Sequence, residues 1–148
     1  MMKPIRVPIS AAALLALAGC ASLHTYVPDA KETTTTVQFL GFGKPKLWAD
    51  GEHQTLDLDV KDDNGKRTIL VPANKRITIW VPQTYYEHRM TAHCDAALSL
   101  VPVPGQEVVI FSGIDGNHCT LDAVRIDNSK PTGVAIDRSV AGPVNFRP

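Results

Sequence analysis

The stretch Leu56-Asp57-Leu58-Asp59-Val60-Lys61-Asp62-Asp63-Asn64-Gly65-Lys66-Arg67-Thr68-Ile69-Leu70-Val71 decides the fold class. Apolar residues recur at every second position on both sides of an Asn-Gly dipeptide, with no three-four spacing. Period two is the signature of a strand with one buried face, and Asn-Gly is the preferred centre of a tight hairpin because both residues tolerate positive φ. The pattern spreads outward. Val37/Phe39, Ile77/Ile79/Val81, Ala96/Leu98/Leu100 and Leu121/Ala123 repeat the alternation, while Val108-Val109-Ile110-Phe111 is apolar on both faces and reads as a central strand. Pro72-Ala73-Asn74-Lys75, Pro102-Val103-Pro104-Gly105 and Asp115-Gly116-Asn117 mark the turns between these runs. About seven short strands and no convincing helix after Cys20 predict an all-β chain, an antiparallel β-sandwich of immunoglobulin-like or transthyretin-like type, with a small β-barrel as the alternative.

Composition limits the partners. The chain has 148 residues, 15 Lys+Arg against 15 Asp+Glu and 6% aromatic residues. One domain is expected, and a neutral chain with no basic stripe has no counterion-release term to hold nucleic acid.

The first residues, Met1-Met2-Lys3-Pro4-Ile5-Arg6, are basic, and an apolar run from Val7 ends in Leu17-Ala18-Gly19-Cys20. Such a run of about a dozen residues has the layout of an export signal and is too short to span a bilayer, which takes about 20. Leu17-Ala18-Gly19-Cys20 resembles the lipobox of bacterial lipoproteins. The resemblance implies a signal peptide, 1–19, cleaved before Cys20, with acyl chains on the Cys20 thiol and on the new amine. Ala21, in place of Asp, implies the periplasmic face of the outer membrane as the destination. With Lys3 and Arg6 removed, 13 basic residues face 15 acidic ones. Residues 20–36, rich in Thr, Pro and charge, read as the lipidated N-terminus and a flexible tether, 37–126 as the sandwich domain, and 127–148 as an extended tail that packs along an edge strand near Val134-Ala135-Ile136.

An exported chain leaves Cys94 and Cys119 in an oxidising compartment, where a disulfide is the expected outcome. His93-Cys94 and His118-Cys119 also offer a zinc ligand set. Strand parity opposes it, because neighbours in one strand point to opposite faces and cannot converge on one ion. A surface site made by the two histidines alone stays open, but no metal or cofactor is expected. The acidic run from Asp57 to Asp63 lacks the spacing of a calcium loop and reads as a solvated strand and hairpin.

No motif with a catalytic mechanism is present. Phe111-Ser112-Gly113 lacks the glycine that precedes the serine of a nucleophile elbow. His53 with Asp57, and His88 with Glu87, remain open as pairs. The suggestive cluster is aromatic: Trp80, then residues 82–89 with Tyr85, Tyr86, His88 and Arg89, form a candidate binding loop with polar tips for an anionic partner groove.

Cys94, the turn Pro102-Val103-Pro104-Gly105, the strand Val108-Val109-Ile110-Phe111 and Cys119 together resemble small proteobacterial lipoproteins with a two-cysteine β domain, a resemblance that implies no activity. The expected function is a lipid-anchored periplasmic binding or structural module without enzyme activity, held by lipid on Cys20 and contacting an envelope protein. Two alternatives stand beside it. One is an inhibitor or immunity-type lipoprotein that blocks a wall hydrolase with loop 82–89, and the other is a small periplasmic hydrolase.

Overall fold

The computed structural model describes residues 24–48, 55–87, 90–116 and 118–142. The export signal, Cys20, His53, His88 and Arg89 lie outside them. Ten strands follow in chain order: β1 (Thr34–Gly41), β2 (Lys46–Trp48), β3 (Thr55–Asp57), β4 (Val60–Asp63), β5 (Lys66–Pro72), β6 (Ile77–Glu87), β7 (Met90–Leu100), β8 (Val108–Asp115), β9 (His118–Ile126) and β10 (Val134–Ile136). They form a six-stranded sheet, ordered β10-β9-β8-β1-β5-β4, and a four-stranded sheet, ordered β3-β2-β6-β7. The two face each other as a sandwich and do not close into a barrel.

Alternation explains the core. Val37 and Phe39 of β1, Ile69 and Val71 of β5, Ile79 and Val81 of β6, Leu98 and Leu100 of β7, and Ile110 of β8 are buried between the sheets. Each such side chain contributes about 1.5–3 kcal/mol of transfer free energy. The Asn-Gly hairpin forms as its sequence predicts, with Asn64 at φ 53° and Gly65 at φ 82° between β4 and β5. The Gly65 amide donates to Asp62 Oδ1 at 3.0 Å. The acidic run is thus strand and turn.

Four differences from the sequence reading are informative. Leu56, Leu58 and Val60 are one alternating run in sequence, yet the chain changes sheets within it: β3 belongs to the four-stranded sheet and β4 to the six-stranded one. Alternation reports which side faces the core, and both sheets face the same core. The sandwich is also not purely antiparallel, since β1 inserts between β5 and β8 and pairs with β8 in parallel. Strand β6 continues through Pro82 to Glu87, so 82–87 is strand and not loop. β2 pairs with β6 only from Thr78 to Trp80, so beyond that point β6 has an edge on this side, where proline is tolerated.

The fourth difference concerns the tether. Residues 24–33 are docked on the domain. The Tyr26 amide donates to the Asp57 carbonyl at 2.9 Å, the Asp57 amide to the His24 carbonyl at 2.5 Å, and the Ala73 amide to the Thr33 carbonyl at 2.8 Å. The Tyr26 ring packs against the core, and its hydroxyl donates to Glu32 Oε2 at 2.8 Å. Burial, then Glu32, push this phenol well above its usual value. Lys75 Nζ closes the arrangement on Glu32 Oε1 at 2.6 Å, and this bond holds Glu32 below the ordinary carboxylate range. Composition reads this stretch as coil because its polar residues bond to a neighbouring strand far along the chain. Only Ala21, Ser22 and Leu23 separate Cys20 from the docked segment.

Candidate functional site

The sandwich has two outer faces. On the four-stranded sheet, register places Trp48, Thr78, Trp80, Ala97 and Ser99 outward, with Thr84 and His93 paired nearer the hairpin end. Much of this face is covered. Ser99 exchanges both backbone hydrogen bonds with Ala141, Arg76 Nη1 donates to Ser99 Oγ at 3.0 Å, and Ala97 and Ser99 are buried. Lys46 Nζ sits 5.9 Å from the Trp80 ring centroid and 2.6 Å from Asp57 Oδ1, tying Trp80 into the sheet surface.

The aromatic cluster read from sequence does not assemble here. Trp80 and Tyr86 share the outer face of β6 but stand six residues apart, about 20 Å along a strand. Tyr85 falls on the opposite face in a half-buried position, and Tyr86 is 84% exposed. His93 and His118 also part company. His93 lies on the outer face of the four-stranded sheet, where its Nδ1 is 3.0 Å from Thr84 Oγ1, while His118 pairs with Asp115 on the outer face of the other sheet. The whole sandwich separates them, so they do not form a two-histidine site.

Their neighbours meet. Cys94 of β7 and Cys119 of β9 form a disulfide with Cα atoms 5.6 Å apart, one cysteine from each sheet. Beside it, Gln83 Nε2 donates to the Gly113 carbonyl at 3.2 Å, a second link between the β6–β7 and β8–β9 hairpins. Ser112 points inward and donates to the Phe42 carbonyl at 2.5 Å, so its hydroxyl is part of the packing of the β1–β2 crossover.

The outer face of the six-stranded sheet is of another character. Register aligns Ile136, Val124, Val109 and Gln38 in one outward row and sets Phe111 beside Leu40 in the next. Val109 is buried by its neighbours, but Leu40 is 38%, Phe111 42% and Ile136 84% exposed, and Phe42 just beyond β1 is 74% exposed. A contiguous apolar strip therefore crosses a sheet face on which no described segment lies. Such strips mark contact surfaces, whereas single exposed apolar residues do not.

The sequence carries a clue to this surface. A strand apolar on both faces was read as central, and β8 is indeed interior to its sheet, with β9 and β1 on either side. Among the described residues no further layer lies over its second apolar face. The two-sided run signalled a contact surface as well as a central strand. No protein-family model, no curated protein and no solved structure matches the chain. The class defined by the coordinates is a disulfide-linked, two-sheet β-sandwich with one apolar outer face.

Proposed function

We propose that this chain is a lipid-anchored binding module of the bacterial cell envelope, tethered through Cys20 to the outer membrane and docking a partner protein on the outer face of its six-stranded sheet. The observation that carries the reading is the apolar strip around the buried Val109, along which Ile136, Phe111 and Leu40 are exposed. The lipobox-like end of the leader supports the membrane half of the proposal, and the two-sided apolar β8 supports the partner half.

The test uses a photocrosslinking residue at Phe111 in cells, with one at the exposed Asp63 as control. A discrete adduct with one envelope protein from position 111 and none from position 63 is the expected result. Adducts that form equally from both positions, or only an adduct between two copies of this chain, would overturn the docking assignment. Mass measurement of the membrane-extracted chain checks the anchor. An unmodified chain beginning at Met1 would remove it.

A further inference from the structure

A concave feature lies at the end of the sandwich where β9 stops and β10 begins, bordering the apolar face, with which it shares Ile136. A cleft of about 900 Å3 opens between the β9–β10 loop, the β7–β8 loop and the turn at 137–139. Val101, Val103 and Pro131 supply apolar lining, and Arg125, Lys130 and Arg138 bring three cations to it.

Arg125 is out of keeping with its position. It continues the inward-facing series Cys119, Leu121, Ala123 of β9, of which the last two pack against the core. Among the described residues its guanidinium has one charged partner, Asp127 at 3.9 Å, beyond hydrogen-bond range. The side chains of Lys130 and Arg138 have no ion-pair partner among the described residues. The two carboxylates of the cleft are engaged by the backbone of its own turns. Asp127 Oδ1 accepts from the Ser129 amide at 3.1 Å and hydroxyl at 2.6 Å, and Asp137 Oδ1 accepts from the Ser139 amide at 2.8 Å. A guanidinium fork with open donors, flanked by two more cations over an apolar lining, suits an oxyanion attached to an apolar body.

Chain geometry says which oxyanion is within reach. Thr25 pairs in parallel with Asp57, and the pairings Asp57–Lys46–Trp80 set it level with Trp80, three residues or about 10 Å from the start of β6. From His24 the described chain therefore runs away from the end of the sandwich that carries the loops 73–76, 101–107 and 127–133. Five residue steps from Cys20 to Thr25 span at most about 18 Å. A lipidated Cys20 thus holds that end within about 8 Å of the headgroup layer.

We propose that this cleft binds the phosphate of an anionic glycerophospholipid headgroup, with Arg125 as the fork and Lys130 and Arg138 as flanking charges. The orientation rests on the reading of Cys20 as the anchored residue. The chemistry of the cleft does not.

The test separates the two. A chain running from residue 20 to 148 with Cys20→Ser contains every described strand, bears no acyl group and carries more acidic than basic side chains, so diffuse charge gives it no reason to bind anionic vesicles. It is expected to bind phosphatidylethanolamine vesicles containing phosphatidylglycerol and not those lacking it. Each cation removed near an anionic surface weakens binding about fivefold, so the combined Arg125→Gln, Lys130→Gln, Arg138→Gln variant should lose about 100-fold. The charge-matched variant Lys44→Gln, Lys61→Gln, Lys66→Gln should change it less than about twofold. Vesicle binding that survives the cleft variant, or that falls equally in the matched one, overturns the proposal. So does inorganic phosphate that shifts the Arg125 and Lys130 amide resonances in a chain that ignores vesicles, since the cleft then serves a soluble anion. Melting temperature of both variants guards against simple unfolding. A native chain without lipid at Cys20 would cancel the anchor and leave the vesicle result of the soluble chain standing.

Discussion

The two outer faces of this sandwich start from the same period-two alternation and end as opposite surfaces. On the four-stranded sheet the outward Ala97 and Ser99 are buried and Trp48, Thr78 and Trp80 half-buried, with Arg76 bonded to Ser99, Lys46 over Trp80 and segment 139–142 added at the free edge of β7. On the six-stranded sheet Leu40, Phe111 and Ile136 remain accessible. The difference is not hydrophobicity, because the covered face holds two tryptophans and the open one holds Gln38 and Thr68. It lies in where later chain segments come to rest. A face left apolar and uncovered costs solubility, and retaining one is reasonable where something docks on it.

The largest test of this comparison removes the bond that keeps the two sheets in step. Replacing both Cys94 and Cys119 by alanine opens a loop of 25 residues' separation and should cost about 3.5 kcal/mol in denaturant melts. A loss below about 1 kcal/mol would mean that the core alone sets the sheets against each other. Next is the corner at which the chain leaves the open face. Gly41 has φ +115°, and a Cβ there would meet the Ser112 carbonyl oxygen at 1.9 Å, a backbone atom that cannot swing aside. Gly41→Ala should cost about 2–3 kcal/mol, whereas Gly116→Ala, with open space around it, should cost about 1 kcal/mol.

The faces themselves are compared by matched truncations. Trp80→Ser on the covered face should lower stability by about 2 kcal/mol, and Phe111→Ser on the open face by less than about 1 kcal/mol while abolishing crosslinking to the partner from a probe placed at Leu40. Equal losses in thermal melts would show that both faces serve the fold alone.

The smallest effect is at the docked N-terminal segment. Glu32 is held below its usual range chiefly by the bond from Lys75, with Tyr26 adding a second. A depressed acid contributes stability that is fully present above its unfolded value of about 4.3 and is lost as pH falls through the lower folded value. With Lys75 59% exposed, the pair is worth under about 1 kcal/mol. Hydrogen-exchange protection factors at the Tyr26 and Ala73 amides, corrected for the intrinsic pH dependence of exchange, should therefore fall on acidification before the sheets open, and Glu32→Gln should show the lower protection already at neutral pH. Unchanged exchange in that variant would mean that the ring packing of Tyr26 alone holds the segment.

Much of the fold was legible because strand alternation and turn chemistry are local. Asn64-Gly65 specifies its hairpin through positive φ, and the inward residues of β1, β5, β6 and β7 follow directly from period two. The cysteine pairing was legible for a similar reason, since parity put both sulfurs inward and both histidines outward. The candidate surface was half legible: Val108-Val109-Ile110-Phe111 announced a second apolar face, but nothing in its neighbours told whether a layer would cover it. Trp80, Tyr85 and Tyr86 looked like one patch because they are close in sequence, while a strand sends adjacent side chains to opposite faces and spaces alternate ones along its length.

The amino-acid order alone determined the class of the chain, its Asn64-Gly65 hairpin, the inward set of side chains and the parity of its cysteines, all of which depend on contacts or torsions a few residues apart. Tertiary structure alone decided which sheet each strand joins, that β1 runs parallel to β8, that residues 24–33 lie down on the domain, and that no described segment lies on one outer face. These depend on pairing between residues tens of positions apart, and a period-two pattern is satisfied by many such pairings. Only the packed whole selects among them, because only there does burying one apolar row exclude burying another.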